Sequence, residues 1–175
     1  MNKAALVFGL MALGIWLLTF FLGLRVNWYS DSTPKGLYRK VADSVERGDY
    51  AVTCLNRQTA EFGLERGYLL QGSCETGIQP VVKPVAAMEG DSVLIKGDTI
   101  TINGHVLSQY KIQHSDSQGR PLEHLSSGEY HLKQGEYFLL SSYRPNSWDS
   151  RYWGMARIQY VVKPVVTFER YKVLR

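Results

Sequence analysis

Ser92-Val93-Leu94-Ile95-Lys96-Gly97-Asp98-Thr99-Ile100-Thr101-Ile102-Asn103-Gly104-His105-Val106-Leu107 alternates apolar and polar residues and is broken twice by turn sequences. Period-two alternation puts every second side chain on one face of an extended strand. Asn103-Gly104 supplies the positive-φ positions of a two-residue hairpin turn, and Lys96-Gly97-Asp98 supplies another reversal. The stretch therefore predicts antiparallel hairpins with one buried face. Working outward, residues 36–41, 50–55, 79–87, 136–140 and 158–162 are rich in β-branched and aromatic residues and predict further strands. Residues 59–66, with Phe62 and Leu64, suit one or two helical turns, and the polar residues 113–128 suit a loop. Many short strands with turns every eight to twelve residues predict a mainly β sandwich or barrel.

A chain of 175 residues has room for one domain with a real core. Its net charge of +4 is weak and dispersed, with no run of five or six Lys or Arg, so no nucleic-acid partner is expected. Residues 4–24 carry no charge, and Thr19 is their only hydroxyl residue. At about 1.5 Å per residue this segment reaches across a hydrocarbon core of about 30 Å. A cleaved signal peptide would have an apolar region of only about 7–15 residues and a small-residue cleavage site. Leu22-Gly23-Leu24-Arg25-Val26-Asn27 offers no small-residue pair. The chain thus divides into an anchor, residues 1–25, and a domain, residues 26–175, with Trp28 and Tyr29 as interfacial aromatics. Lys3 and Arg25 flank the anchor and barely bias its orientation. Cys54 and Cys74 form an even pair, which in an exported domain suggests a disulfide; two buried thiols in a cytosolic domain are the alternative.

The four histidines lie in turns or in the polar loop, without metal-ligand spacing or a nucleophile elbow. A Ser-His-Asp hydrolase or zinc protease is therefore unsupported, and no metal or cofactor is expected. A lysine can replace histidine as a base if its charged form is destabilised in an apolar slot. Lys83, in Val81-Val82-Lys83-Pro84-Val85, and Lys163, in Val161-Val162-Lys163-Pro164-Val165, are equally suited by composition.

Asn146-Ser147-Trp148-Asp149-Ser150-Arg151-Tyr152-Trp153-Gly154 resembles the C-terminal box of the signal peptidase I clan of Ser-Lys proteases. Lys83, followed by Gly90-Asp91, resembles that clan's lysine box, and Lys163 has no such sequel. Ser30-Asp31-Ser32-Thr33-Pro34-Lys35-Gly36-Leu37-Tyr38 resembles its serine box, in the Ser-x-Pro-x-Gly-Leu-Tyr form of TraF-type conjugative-transfer peptidases. Those proteins share the single anchor and a short cysteine-bracketed loop like Cys54 to Cys74. Ser141-Ser142-Tyr143 departs from leader peptidases, which have Gly-Asp-Asn there.

The resemblance implies a signal-peptidase-like β domain behind one N-terminal transmembrane helix, held in the bacterial inner membrane with its catalytic domain in the periplasm. It implies Ser32 as nucleophile and Lys83 as general base. Asp149 would organise the site with Arg151, Ser147 would hydrogen-bond the lysine, and the Ser32 N–H with the Ser30 hydroxyl would bind the oxyanion. The implied substrate is an exported pilin precursor, with head-to-tail cyclisation through an acyl-enzyme as one outcome. Membrane lipid and other mating-pair formation proteins are the further implied partners. A general signal peptidase I acting on secretory preproteins and a non-catalytic scaffold of a secretion channel are the rival readings. Ser32 lies eight residues past Leu24, no further than about 25–30 Å from the anchor's end. Trp148 and Trp153 suit either a lipid-facing surface or the core.

Overall fold

A computed structural model describes residues 3–28, 32–41, 44–141, 143–144 and 146–168. Helix α1, Lys3–Phe21, is apolar all round and buries none of its residues. By length and composition it can cross a membrane. The expected anchor ran to residue 25, but the helix stops at Phe21. Gly23 adopts a left-handed φ of 63°, and Leu24–Asn27 continues as strand β1. That strand pairs antiparallel with β2, Gly36–Val41. Leu24 and Arg25 therefore belong to the sheet.

The remaining elements are β3 (Tyr50–Thr53), α2 (Arg57–Glu65), β4 (Val81–Ala87), β5 (Ser92–Lys96), β6 (Thr99–Ile102), β7 (His105–Val106), β8 (Gly128–His131), β9 (Phe138–Leu139), α3 (Ser150–Trp153) and β10 (Tyr160–Thr167). They form a six-stranded sheet in the order β1-β2-β10-β3-β4-β9 and a four-stranded sheet in the order β7-β6-β5-β8. The mainly β expectation holds.

The hairpins lie where alternation places them. Lys96 faces Thr99 across a two-residue turn, and Ile102 faces His105 across Asn103-Gly104, both at positive φ. Val93, Ile95, Ile100 and Ile102 point inward and pack with Ile112, Leu132, Phe138 and Leu140. Burying each such side chain stabilises the fold by about 1.5–3 kcal/mol. Strand β10 runs five residues beyond its expected end. Its register with β2 shifts between Pro164 and Val166, where the proline has no N–H for the ladder.

Helix α2 begins at Asn56, whose side chain accepts from the Thr59 N–H at 2.9 Å. The Cys54–Cys74 disulfide brackets it, with 5.8 Å between Cα atoms. Beneath it Leu55, Ala60, Ile78 and Val81 form a small core, against which Trp148 and Trp153 pack. Both tryptophans are half-buried and pack against this core. Trp28 is exposed and stacks on Phe168 at 5.3 Å; Tyr29 lies outside the described residues.

Candidate functional site

Strand β4 alternates strictly, so Val81, Lys83, Val85 and Ala87 all face inward. Lys83 occupies an apolar position and is only 4% exposed. Its Nζ donates to Ser147 Oγ at 2.6 Å. Burial pushes Lys83 from 10.5 down to about 8; Asp149 opposes that fall and Arg151 adds to it. At pH 7 about a tenth of such lysines are neutral, against about one in three thousand for a lysine in water.

Ser32 lies in the connection between β1 and β2 and is half-buried. Just after it, Asn27 Nδ2 donates to Thr33 Oγ1 at 2.9 Å and to the Pro34 carbonyl at 3.1 Å. The Tyr38 hydroxyl donates to that same carbonyl at 2.6 Å. Ser147 Oγ approaches Ser32 Oγ at 3.5 Å. The 2.6 and 3.5 Å contacts share Ser147 Oγ, which holds Lys83 Nζ within about 6.1 Å of Ser32 Oγ. Ser30 lies outside the described residues.

Asp149 caps the short helix α3 and is fully buried. Both its oxygens meet the Arg151 guanidinium, at 2.8 Å to Nε and 2.9 Å to Nη2. This bidentate pair also grips the surrounding backbone. Asp149 accepts from the Ser141 N–H at 3.1 Å, and Arg151 donates to the carbonyls of Ser147 and Lys111 at 2.8 Å each. One buried ion pair thus fixes the segments that carry Ser141 and Ser147.

Lys163 is placed quite differently. It is 39% exposed and lies 3.5 Å from both Asp49 and Glu46. The Asp49 carboxylate in particular raises its pKa. The structure therefore separates two lysines that composition leaves equivalent: only Lys83 is held where losing a proton is eased.

A cleft of about 440 Å³ opens over Ser32, Lys83 and Ser147, with Leu69, Trp148 and Tyr152 among its apolar walls. No histidine lines it. His105, His114 and His131 are exposed and His124 is half-buried. Among the described residues no cluster of three or more His, Cys, Asp or Glu could hold a metal ion.

Two contributors were not anticipated. The polar loop supplies Asp116, which accepts from the Tyr68 hydroxyl and from Arg120 Nε at 2.6 Å each and so ties the loop to the α2 side of the cleft. Ser141 is the other: it is 1% exposed and donates from Oγ to the Ser32 carbonyl at 2.5 Å. The only sequence signal at Ser141 is the departure from Gly-Asp-Asn.

The family described as signal peptidase, peptidase S26, matches residues 2–167. A plasmid transfer protein TraF from Escherichia coli is 35% identical over 151 residues, covering 83% of this chain and 84% of its own. A conjugal transfer protein TraF from Agrobacterium fabrum is 34% identical, covering 93% of each chain. A crystal structure of a signal peptidase I from Enterococcus faecalis V583 is 21% identical and aligns with 73% of this chain and 100% of that one, with a TM-score of 0.39.

Proposed function

We propose that this chain, which belongs to the signal peptidase S26 family and is TraF-type within it, is a membrane-anchored Ser-Lys endopeptidase that processes an exported pilin precursor during conjugation. One observation carries the catalytic part: Lys83 is buried, is eased toward its neutral form, and reaches Ser32 through the single hydroxyl of Ser147. Neutral Lys83 takes the Ser32 proton as Ser32 Oγ attacks the scissile carbonyl. Ser147 keeps the amine aligned, and the backbone N–H of Ser32 is the donor assigned to the developing oxyanion. Protonated Lys83 then returns its proton to the departing amine. Lys83, neutral again, takes a proton from a water or from the substrate's own amino terminus as it attacks the acyl-enzyme and passes that proton to the departing Ser32 Oγ, giving a linear or a cyclic product.

The open side of β4 suits a peptide substrate. β9 pairs with β4 at Val85 and Ala87, while β3 covers the other edge from Val81 to Pro84. The backbone from Val81 to Lys83 therefore borders the cleft with one edge free of strand pairing among the described residues. An extended precursor can add there as a further strand. Helix α1 is the anchor in this reading, and the disulfide fits an oxidising periplasm. The conjugative assignment rests on the TraF relatives, which are plasmid and conjugal transfer proteins.

Mass spectrometry of a co-expressed pilin precursor, with the wild-type chain and with Ser32→Ala, tests this. A product one water lighter than the cleaved linear chain, lost with Ser32→Ala, supports a cyclising peptidase. A linear product supports a hydrolytic one. Precursor that stays intact with wild type, or that is processed equally well with Ser32→Ala, overturns the proposal.

A further inference from the structure

The hydroxyl of Ser141 has its single proton committed. Oγ donates to the Ser32 carbonyl at 2.5 Å and accepts from the Tyr143 N–H at 3.3 Å, in a position sealed from solvent. Its mount is held by two backbone hydrogen bonds. The Ser141 N–H is held by Asp149 Oδ2, and the preceding Leu140 N–H donates to the Pro84 carbonyl, next to Lys83, at 3.0 Å. A chain of short contacts thus runs from the buried Asp149–Arg151 pair through Ser141 to the peptide that follows the Ser32 side chain. A second chain runs from Arg151 to the Ser147 carbonyl, and so to the residue that holds Lys83. Both partners of the dyad are referenced to one ion pair.

We propose that Ser141 is a positioning residue for acylation: its hydroxyl fixes the Ser32–Thr33 peptide plane and with it the line along which Ser32 Oγ meets the scissile carbonyl. The inference rests on the Ser-Lys reading above. Among the described residues no hydrogen bond joins Ser141 to Lys83, so losing the Ser141 hydroxyl leaves the base's own bond to Ser147 in place. A carbonyl freed from its tether lets Ser32 sample other orientations, and attack geometry is sensitive to such displacement.

Two measurements on the full chain in detergent micelles test it, each comparing Ser141→Ala with wild type. In hydrogen exchange, the peptide containing Ser32 and Thr33 exchanges faster in the variant, while the peptide containing Asp149 to Trp153 is unchanged. In single-turnover kinetics with the purified pilin precursor, acyl-enzyme formation slows about tenfold. KM and the pH midpoint near 8 set by Lys83 stay as in wild type. Unchanged exchange at Ser32, or an unchanged acylation rate, overturns the proposal. A loss shared by KM, the pH midpoint and the melting temperature also overturns it, because that is the signature of a merely structural hydroxyl. Failure of the wild-type chain to acylate at all counts against the peptidase reading instead, and the exchange comparison still decides whether Ser141 tethers Ser32.

Discussion

Replacing Lys83 by methionine is expected to abolish processing and, at neutral pH, to make the protein more stable. Burial lowers Lys83 from 10.5 to about 8. Each unit corresponds to about 1.4 kcal/mol, so a protonated Lys83 at pH 7 destabilises the fold by about 3 kcal/mol relative to a lysine in water. Between pH 8 and 10.5 the unfolded chain binds more protons than the folded one, and wild-type stability therefore rises with pH across that window. Methionine has a similar length and no charge, but it forfeits the 2.6 Å bond to Ser147, a loss of about 1 kcal/mol. The variant is thus more stable than wild type by about 2 kcal/mol at pH 7, and no more stable than wild type above pH 10.5. For a domain of this size that advantage is about 4–8 °C in melting temperature. Denaturation of the full chain in detergent at a series of pH values measures the gap. A gap independent of pH, or a methionine variant less stable at pH 7, would refute the claim that Lys83 is held in a slot hostile to its charge.

Asp149→Asn leaves the Arg151 guanidinium buried without its counter-ion and is expected to lose about 3–5 kcal/mol in chemical denaturation. Where enough folds to assay, the acidic limb of its pH–rate profile moves below about 8, because Asp149 is the charge that raises Lys83. Lys163→Ala removes a partly exposed lysine from its pairs with exposed Glu46 and buried Asp49. It should keep wild-type processing and lose about 1–3 kcal/mol, since a buried acceptor loses a partner; a well-folded, inactive protein would reverse the choice of base. Replacing both Cys54 and Cys74 by alanine opens a loop of sequence separation 20 and should cost about 3 kcal/mol, read as a lowered denaturation midpoint.

Much of the sheet was legible because strand alternation is a local property. Gly36–Val41 and the two hairpins within Ser92–Val106 follow from apolar spacing and turn residues alone. Strand β1 was hidden because the uncharged run continues to Leu24, three residues past the helix end at Phe21; the chain changes course at the left-handed Gly23, before the first charge at Arg25. Strand β8 is short and half-exposed, pairing on one side of β5, so its residues carry little apolar pattern. Helix α3 spans four residues, too few for a 3.6-residue period to register.

For the site, residue type and motif order nominated Ser32, Lys83, Ser147, Asp149 and Arg151, and composition narrowed the base to two lysines. Sequence determines which side chains a strand turns to one face and which groups can donate, accept or ionise. It does not determine what lies across from them. Lys83 and Lys163 stand in the same five-residue sequence, yet one is buried beside Ser147 at the floor of the cleft and the other, partly exposed, faces Asp49 and Glu46. That difference, and the bond from Ser141 to a carbonyl 109 residues away in sequence, arise only when distant segments pack. The cost of burying a charge depends on every atom around it, and those neighbours are set by the tertiary fold.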